Sequence, residues 1–482
     1  MSLATSFRIL GLLLMLFSAA MLPSLALAWL DQDNTVTAFI DGFLITLLGG
    51  FLLWAPCAGA QSELRIRDGF FVTSLFWLVL GSFGATPLWL APDLGLTLPA
   101  AIFESISGLT TTGATVLVSL DELPRSLLLY RQLLQWLGGI GIIVVAMAIL
   151  PMLGVGGMAL YRAETPGPSK DNKLTPRISG TALALFYVYI TLTIACALAY
   201  YLAGMDSFDA IGHAFSTIAI GGFSTHDASM GYFENDSILW ISSLFMAIAA
   251  INFGLHFFAW KHKSLKGYVT DPETGFFLLC LSGSIVITCL FLLATRTLAP
   301  HESVVHGVFQ AISMATTTGF TTTDFSSWPT FLPMMLILFS FIGGCVGSTG
   351  GGLKVMRVLL IVKQGLREMR QLIHPQAIIP LRVGGRRVDA AIVSAVWSFF
   401  AVYVTAFLII LLVLMAMGLD FLSAFSAVAA SLNNLGPGLG DVSANYSTVS
   451  DHTKLVLAFT MLLGRLEVFT LLVLFTPMFW RR

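Results

Sequence analysis

Ten apolar stretches, each long enough to cross a bilayer, constrain the fold more than any other feature of the sequence. A bilayer core requires about 20 consecutive apolar residues in a helix. The stretches lie near residues 9–30, 36–57, 69–91, 127–152, 180–203, 237–260, 275–298, 329–353, 390–417 and 453–480. Backbone groups cannot remain unpaired in lipid, and no stretch alternates like a barrel strand. The sequence therefore predicts an all-α membrane protein with about ten transmembrane helices.

The composition and the charge distribution agree with this class. The chain is 56% hydrophobic and only 11% charged, whereas a soluble domain carries roughly 25% charged residues. With the N-terminus in the cytoplasm, the segments on that side carry all but five of the 25 Lys and Arg residues. The positive-inside rule then predicts cytoplasmic N- and C-termini. The first stretch loosely resembles a signal peptide, but its length favours an uncleaved first helix.

Four of the loops on the opposite side each contain a semi-apolar segment that is too short to span, and we predict these segments to be re-entrant helices. They cover residues 100–112, 209–221, 306–318 and 422–435. Each segment leads to a glycine and then to the next full span, and the four glycines are Gly113, Gly222, Gly319 and Gly436. The residue six positions before each glycine is small. The pattern recurs at intervals of roughly 100 residues, which indicates a fourfold internal duplication.

Four such units with the same topology can surround one axis. Irregular backbone at membrane depth is tolerated where it lines a water-filled path or is buried in protein. Carbonyl oxygens there can replace the hydration shell of a cation, and glycine adopts the positive φ that such turns need. The sequence therefore predicts a selectivity filter for a monovalent cation, with K⁺ as the leading candidate and Rb⁺ as a substitute. The predicted filter residues are Thr111, Thr112, Gly113, Ile220, Gly221, Gly222, Thr317, Thr318, Gly319, Asn434, Leu435 and Gly436.

The same segments carry a resemblance to a known family. The sequences TTTGAT (110–115), IGGFST (220–225), TTTGFTTTDF (316–325) and NNLGPGLG (433–440) resemble the filters of the Trk/Ktr/HKT potassium-transporter superfamily. The whole chain resembles the bacterial TrkH-type branch. A glycine at all four filter positions resembles potassium-selective members, whereas sodium-preferring relatives carry serine in the first. The fourth repeat departs from the others, because Pro437 follows its glycine and no threonine precedes it.

The resemblance implies one pseudo-fourfold pore per subunit, a homodimer and a location in the bacterial cell inner membrane. It also implies regulation by a cytosolic TrkA-type nucleotide-binding ring. The basic segment from Lys354 to Arg387 fits docking of such a partner or of membrane lipid, and we expect no nucleic acid partner. We expect K⁺ as the transported ion and no organic cofactor. The predicted organisation is two N-terminal helices (1–60) and four pore repeats (61–165, 166–262, 263–388 and 389–482).

A glycine-rich stretch, residues 343–352, interrupts the eighth apolar stretch. Each glycine costs about 1 kcal/mol in a helix relative to alanine, so this segment is not expected to be helical. It is not a nucleotide-binding P-loop, because Leu353 stands where the lysine is required. Close helix packing is one interpretation. The other is a gating loop beneath the filter, which the family resemblance implies, with candidate residues Gly347, Gly350, Gly351 and Gly352.

Several charged residues fall in or beside apolar stretches. Because an intramembrane charge costs about 2.5–3.5 kcal/mol, Arg465 and Glu467 need a cavity or a partner, and we expect them to contact different elements. Arg465 is the candidate for a positive gating barrier beneath the filter, and a structural anchor is the alternative. Arg131 is a weaker candidate, because it lies near the end of a span and can snorkel to the interface. Glu104 and Asp209 attract cations to the pore mouth in one interpretation, and in the favoured one they are solvated or cap helices.

The leading hypothesis is therefore gated potassium uptake, and two other classes remain as alternatives. An ion-coupled secondary carrier, such as a symporter, would place paired carboxylates or broken helices in inverted repeats, whereas these repeats run parallel. A membrane-embedded enzyme would need a nucleophile and a base at membrane depth. The sequence shows no such pair and no Gly-x-Ser-x-Gly motif, so we do not expect an enzyme.

Overall fold

The computed structural model describes residues 3–60, 66–144, 178–329 and 331–480. Within these residues the protein is helical apart from its loops and one short ribbon. Apart from four short helices described below, the helices of ten or more residues are Leu3–Ser18, Leu22–Asp31, Val36–Trp54, Ile66–Gly84, Arg125–Val144, Ile178–Leu202, Asp236–Ala249, Phe253–His262, Pro272–Thr295, Phe331–Ser340, Val355–Ile373, Ala390–Ala416 and Asp451–Arg465. Part of the predicted cytoplasmic charge lies outside the described residues, namely Arg65, Arg162, Lys170, Lys173, Arg177, Arg481 and Arg482.

Six helical segments among the described residues are long and apolar enough to cross a membrane. They are Leu3–Asp31, Val36–Cys57, Arg67–Leu90, Leu183–Leu202, Pro272–Thr295 and Ala390–Ala416. Two bent helix pairs would bring the total to eight. The prediction of an all-helical, multi-pass membrane protein is thus confirmed.

Three of the predicted spans are not continuous helices. The interruption near 329–353 was predicted from its glycines, whereas for the other two the prediction of one continuous helix was wrong. Near 237–260 the chain bends by 94° between two helices, and the Asn252 side chain accepts a hydrogen bond from the Gly254 amide to start the second. Near 453–480 the bend is 109°, and Glu467 and Val468 adopt φ values of 53° and 56°. Near 329–353 the helix ends at Ser340, where the glycine-rich stretch follows. Hydropathy alone does not register such breaks because the residues around them are still apolar.

The basic segment forms an amphipathic helix and a ribbon. Helix Val355–Ile373 buries Met356, Leu359 and Leu360 on one face. The ribbon, which the sequence did not predict, pairs Arg382–Val383 with Arg386–Arg387 in antiparallel register. Its turn is made by two glycines with positive φ. The basic side chains are thereby carried on structured elements.

Four short helices form in the four segments that the sequence predicts to be re-entrant. We name them short helices 1 to 4, and they are Leu98–Leu109, Ser207–Ile218, Pro300–Ala315 and Phe421–Leu432. Three of them have 12 residues, which corresponds to about 18 Å at 1.5 Å per residue. That length falls short of the bilayer core of about 30 Å. Each short helix is therefore too short to span by itself.

The starts of the short helices follow from their capping residues. Thr97, Asp206 and Asp420 accept hydrogen bonds from backbone amides in the first turn of short helices 1, 2 and 4. Short helix 3 begins six residues before the predicted start at residue 306, because Pro300 suits the first helical position and the Glu302 carboxylate accepts from the Ala299 amide. Their C-terminal halves are buried among the longer helices, except for the partly exposed Phe215 and Val308. All four helices end inside the protein, where the glycine turns follow.

Candidate functional site

Each short helix leads into a turn with the same unusual backbone. We call these glycine turns 1 to 4, which cover residues 111–115, 220–224, 317–321 and 434–438. The central glycines have φ between 77° and 100°. The residue two positions earlier also has a positive φ, although none of these residues is a glycine: Thr111 (54°), Ile220 (53°), Thr317 (64°) and Asn434 (53°). A side chain in this region costs roughly 1–2 kcal/mol, so the surrounding structure must impose the conformation.

The same hydrogen bond fastens all four turns to their helices. The amide before each glycine donates to the carbonyl of the small residue that the sequence alignment singled out, and each distance is 2.8 Å. The pairs are Thr112 to Ser107, Gly221 to Ser216, Thr318 to Ser313 and Leu435 to Ala430. The recurrence of one bond at one length shows that the four turns share a conformation despite different residue types.

The four glycine turns contact one another in a closed ring. The carbonyl before one glycine lies against the glycine of the neighbouring turn, so a Cβ there would clash with it. A Cβ built on Gly113 would lie 2.0 Å from Gly221 O, and one built on Gly222 would lie 2.1 Å from Thr318 O. A Cβ built on Gly319 would lie 2.0 Å from Leu435 O, and one built on Gly436 would lie 2.6 Å from Thr112 O. Glycine is thus required by the neighbouring carbonyl as well as by φ. The ring returns to its first member, with turn 4 beside turn 1.

Turn 4 differs from the other three in the structure as it does in the sequence. Gly436 has the largest φ of the four glycines, 100°, and the widest spacing from the neighbouring carbonyl. The ring of Pro437 approaches a Cβ built on Gly319 to 2.8 Å. The Tyr446 hydroxyl donates to the Gly436 carbonyl at 3.0 Å. The backbone spacing between turns 4 and 1 is therefore the widest in the ring.

A cavity of about 400 Å³ lies directly on the ring, and all four central glycines line it. Asp227 and Asp324 also line this cavity. Carboxylates at the entrance of a cleft raise the local concentration of cations. The ring and the cavity together offer a cation first acidic side chains and then backbone oxygens.

Hydroxyl groups brace the ring from behind. Thr110 and Thr112 share a hydrogen bond of 2.7 Å between their Oγ1 atoms, and Thr316 and Thr318 share an equivalent bond of 2.7 Å. Asn434 Nδ2 donates to Thr112 Oγ1 at 3.0 Å and so links turn 4 to turn 1. The threonine hydroxyls are thus engaged in holding the turns in place. The oxygen atoms that the ring can offer to a cation are its backbone carbonyls.

A buried ion pair supports the outer side of turns 1 and 2, and it corrects two predictions. Glu104 and Arg131 are 0% and 1% exposed, and Arg131 Nε lies 2.8 Å from Glu104 Oε1. Arg131 also donates to Ser224 O at 3.1 Å, and Glu104 accepts from the Val116 amide at 2.8 Å. Arg131 therefore does not snorkel, and Glu104 is neither solvated nor a cap. Two opposite charges in apolar segments could have revealed the pair, because a charged side chain that is buried needs a partner of opposite charge.

His226 lies in a charged cluster that the sequence did not reveal. His226 Nε2 lies 3.0 Å from Asp209 Oδ2, and its Nδ1 contacts Asp121. Partial burial opposes the charged imidazole, but the hydrogen bonds to both carboxylates outweigh it and raise the pKa of His226 above its ordinary value. Asp209 also accepts from Thr225 Oγ1 at 2.6 Å, so it is not simply solvated as predicted.

The glycine-rich stretch lies against the ends of three short helices. The Gly351 amide donates to Thr317 Oγ1 at 2.8 Å, and the Gly352 amide donates to the Asn433 carbonyl at 3.1 Å. Thr349 Oγ1 donates to the Ile218 carbonyl at 3.0 Å. The stretch thus contacts the C-terminal ends of short helices 2, 3 and 4, on the side of the ring away from the cavity.

The other two candidate gating glycines fasten the stretch to neighbouring elements. The Gly347 carbonyl accepts from the Phe253 amide at 3.1 Å, and the Gly350 carbonyl accepts from Lys354 Nζ. A Cβ on Gly351 would lie 1.9 Å from the Asn433 carbonyl oxygen. Close backbone approach therefore explains the glycine at position 351.

Arg465 is the last residue of helix Asp451–Arg465 and is 3% exposed. Its guanidinium donates to the Thr349 carbonyl at 3.0 Å and to the Gly138 carbonyl at 3.2 Å. Glu467, in contrast, pairs with Arg357. The two charges contact different elements, and Arg465 holds the glycine-rich stretch next to the ring.

The fold and this ring define a class, that of polytopic membrane transport proteins. A family model described as "TrkH: Cation transport protein" matches residues 35–482. The chain belongs to this TrkH family of cation transport proteins, which confirms the resemblance found in the sequence. It is accordingly a transport protein and not an enzyme.

Individual relatives cover the chain from end to end. The Trk system potassium uptake protein TrkH of Halomonas elongata is 54% identical over 482 residues, with 100% of both chains covered. The protein of the same name from Escherichia coli K12 is 52% identical over 476 residues, with 98% of both chains covered. The crystal structure of the potassium transporter TrkH from Vibrio parahaemolyticus matches with a TM-score of 0.93 and 50% identity, and 100% of both chains is covered.

Proposed function

We propose that this protein takes up potassium through a gated pore whose selectivity filter is the ring of glycine turns. The observation that carries the proposal is the closed ring itself, in which four turns with one backbone conformation place a carbonyl against the next glycine. The relatives described above are named as potassium uptake proteins. The four predicted repeats, with boundaries at residues 61–165, 166–262, 263–388 and 389–482, each supply one turn.

Selectivity follows from the chemistry of the ring. Backbone carbonyls replace the hydration shell of a cation only where enough of them converge at one level. The carbonyls of Thr112, Gly221, Thr318 and Leu435 supply one such level. The residues before them, Thr111, Ile220, Thr317 and Asn434, supply the next. The wider spacing between turns 4 and 1 marks the place where we expect the selectivity to be weakest.

Gating is the second part of the proposal. The glycine-rich stretch with Gly347, Gly350, Gly351 and Gly352 lies under the ring, and Arg465 is hydrogen-bonded to it. A buried positive charge at this place opposes the passage of a cation. Displacement of the stretch together with Arg465 would open the path.

The partners and the location belong to the same proposal. A cytosolic TrkA-type nucleotide-binding ring would dock on the basic segment, whose helix Val355–Ile373 begins directly after the glycine-rich stretch. That continuity gives a docked partner a mechanical connection to the gate. We place the protein in the bacterial inner membrane as a homodimer, with both termini in the cytoplasm.

Purified protein in liposomes tests the proposal directly. We expect faster uptake of K⁺ and Rb⁺ than of Na⁺, because carbonyl ligands compensate K⁺ better for its lost water. Equal leakage of Li⁺ and K⁺ would refute a selective pore. Gly113→Ser is expected to admit more Na⁺, since its Cβ would lie 2.0 Å from the Gly221 carbonyl oxygen. Gly95→Ser is the matched control, because Gly95 also has a positive φ but has open space around it.

A further inference from the structure

Helix Arg125–Val144 carries a buried polar strip that faces glycine turn 2. The strip consists of Arg131, Gln132 and Gln135, which are 1%, 0% and 0% exposed. Residues four apart lie on the same face of a helix, and a buried amide is costly unless it is hydrogen-bonded. Gln132 Nε2 reaches the Phe223 carbonyl only at 3.4 Å. Gln135 makes the closest contacts with the ring.

The Gln135 side chain holds glycine turn 2 at two points. Its Nε2 donates to the Gly221 carbonyl at 2.6 Å, and its Oε1 accepts from the Phe223 amide at 3.1 Å. These two contacts lie on either side of Gly222. A Cβ on Gly221 would lie 2.4 Å from Gln135 Cδ, so a glycine before the central glycine makes room for this contact. No other turn has two successive glycines at these positions.

The contact distinguishes turn 2 from the rest of the ring. Within the part of the chain that the structure describes, the corresponding carbonyls of Thr112, Thr318 and Leu435 accept no hydrogen bond from the protein. A carbonyl that already accepts a short hydrogen bond has a fixed direction and one of its two lone pairs engaged. The Gly221 carbonyl therefore differs from the other three at the same level.

We propose that Gln135 is a positioning residue that fixes the direction of the Gly221 carbonyl and thereby contributes to the preference for K⁺ over Na⁺. This inference rests on the proposed function, because it assigns the Gly221 carbonyl to the filter. A carbonyl released from Gln135 is free to turn toward a smaller ion and to coordinate Na⁺ at a shorter distance. The support comes from a helix of the preceding repeat, so one repeat sets the filter geometry of the next.

Gln135→Met tests the proposal, because methionine keeps the length of the side chain and removes both hydrogen bonds. We expect the ratio of K⁺ to Na⁺ flux in liposomes to fall roughly fivefold, the factor that corresponds to one hydrogen bond of about 1 kcal/mol. The ratio does not depend on how much of the sample is folded. A ratio equal to that of the unmodified protein would overturn the proposal.

Gln310→Met is the matched control. Gln310 lies in short helix 3 and is 0% exposed, and its amide has no hydrogen-bond partner among the described residues. The same chemical change is thus made at a buried glutamine that does not touch the ring carbonyls. We expect no change in the flux ratio. An equal fall in both variants would show a general loosening of the protein and would also overturn the proposal.

A second variant keeps the proposal testable if Gln135→Met does not fold. Gln135→Glu retains the volume and the acceptor for the Phe223 amide, but its carboxylate cannot donate to Gly221. The readout is the rise in thermal unfolding midpoint on adding KCl compared with NaCl, because a selective site is stabilised more by its own ion. A smaller difference than in the unmodified protein supports the proposal, and an unchanged difference overturns it. If the unmodified protein itself shows no preference for K⁺, the proposed function fails first and this inference falls with it.

Discussion

Arg131 and Arg465 are both buried beside the ring of glycine turns, but their charges are balanced in different ways. Arg131, on the cavity side, forms an ion pair with Glu104. Arg465, on the opposite side, donates to two backbone carbonyls, and within the described residues it forms no ion pair. The cavity side therefore carries no net charge from its arginine, while the opposite side keeps a positive charge. The same residue type is thus neutralised by a carboxylate on one side of the ring, whereas on the other side it keeps the charge that the proposed barrier requires.

Glu104→Gln is the strongest way to break this comparison. It leaves the Arg131 charge buried without a partner, and the loss of one member of a buried pair costs about 3–5 kcal/mol of the free energy of unfolding. We expect a clear fall in the thermal unfolding midpoint of the purified protein. The double variant Glu104→Met/Arg131→Met removes both charges and is expected to be more stable than the single variant. A single variant as stable as the unmodified protein would show that Arg131 does not depend on Glu104.

Arg465→Ala tests the other half of the comparison. Removal of an unpaired buried charge beside the proposed ion path is expected to raise basal K⁺ flux about tenfold, which corresponds to roughly 1.4 kcal/mol less repulsion of the cation. Arg465→Lys retains the charge and is expected to keep the flux low. Flux is measured without a cytosolic partner, and folding is checked by size-exclusion chromatography. A folded Arg465→Ala protein with reduced flux would indicate that the residue is an anchor and not a barrier.

The smallest effect is expected at His226, a titratable residue on the cavity side that pairs with Asp121 and Asp209. The pKa of His226 is raised by Asp209 and Asp121, so its contribution to stability is complete below the unfolded value of about 6.5 and is lost as the pH rises through the folded value. We expect this contribution to be below about 1 kcal/mol, because the cluster is partly exposed. The measurement is the change in unfolding midpoint between about pH 6 and about pH 8, on either side of neutrality.

His226→Gln provides the control for that measurement. Glutamine can still hydrogen-bond to Asp209 but does not titrate, and subtraction of its pH dependence removes the contribution of His213 and of the other groups nearby. The variant is expected to lose less stability than the unmodified protein as the pH rises. The same pH dependence in both proteins would remove His226 from the cluster of paired charges on the cavity side.

The sequence predicted the membrane class, the family and the four glycines, because each of these leaves a signal in residue type or periodicity. It did not predict the positive φ of Thr111, Ile220, Thr317 and Asn434, since threonine and isoleucine are β-branched and disfavour that region. That conformation is imposed by the ring, which forms only when four distant parts of the chain meet. The Glu104–Arg131 pair was missed for a similar reason, because each residue taken alone has an adequate explanation as an exposed charge.

The helix breaks show a second limit of sequence-based prediction. The bend at Glu467 and Val468 lies in a run whose composition suits a continuous span, and hydropathy has no term for a pair of residues with positive φ. The glycine-rich stretch was recognised as non-helical from its composition. Its contacts with Ile218, Thr317 and Asn433 depend on the positions of three short helices and could not be predicted from that composition.

The closure of the ring within one chain has a consequence for how such a protein can change over generations. In a filter assembled from four identical subunits, every substitution is made four times at once. Here a substitution alters one quarter of the ring and leaves the other three turns unchanged. Gln135 beside turn 2 and Pro437 in turn 4 are two places where one quarter already differs from its neighbours. Under the proposed function, ion preference can therefore be adjusted in small, separate steps.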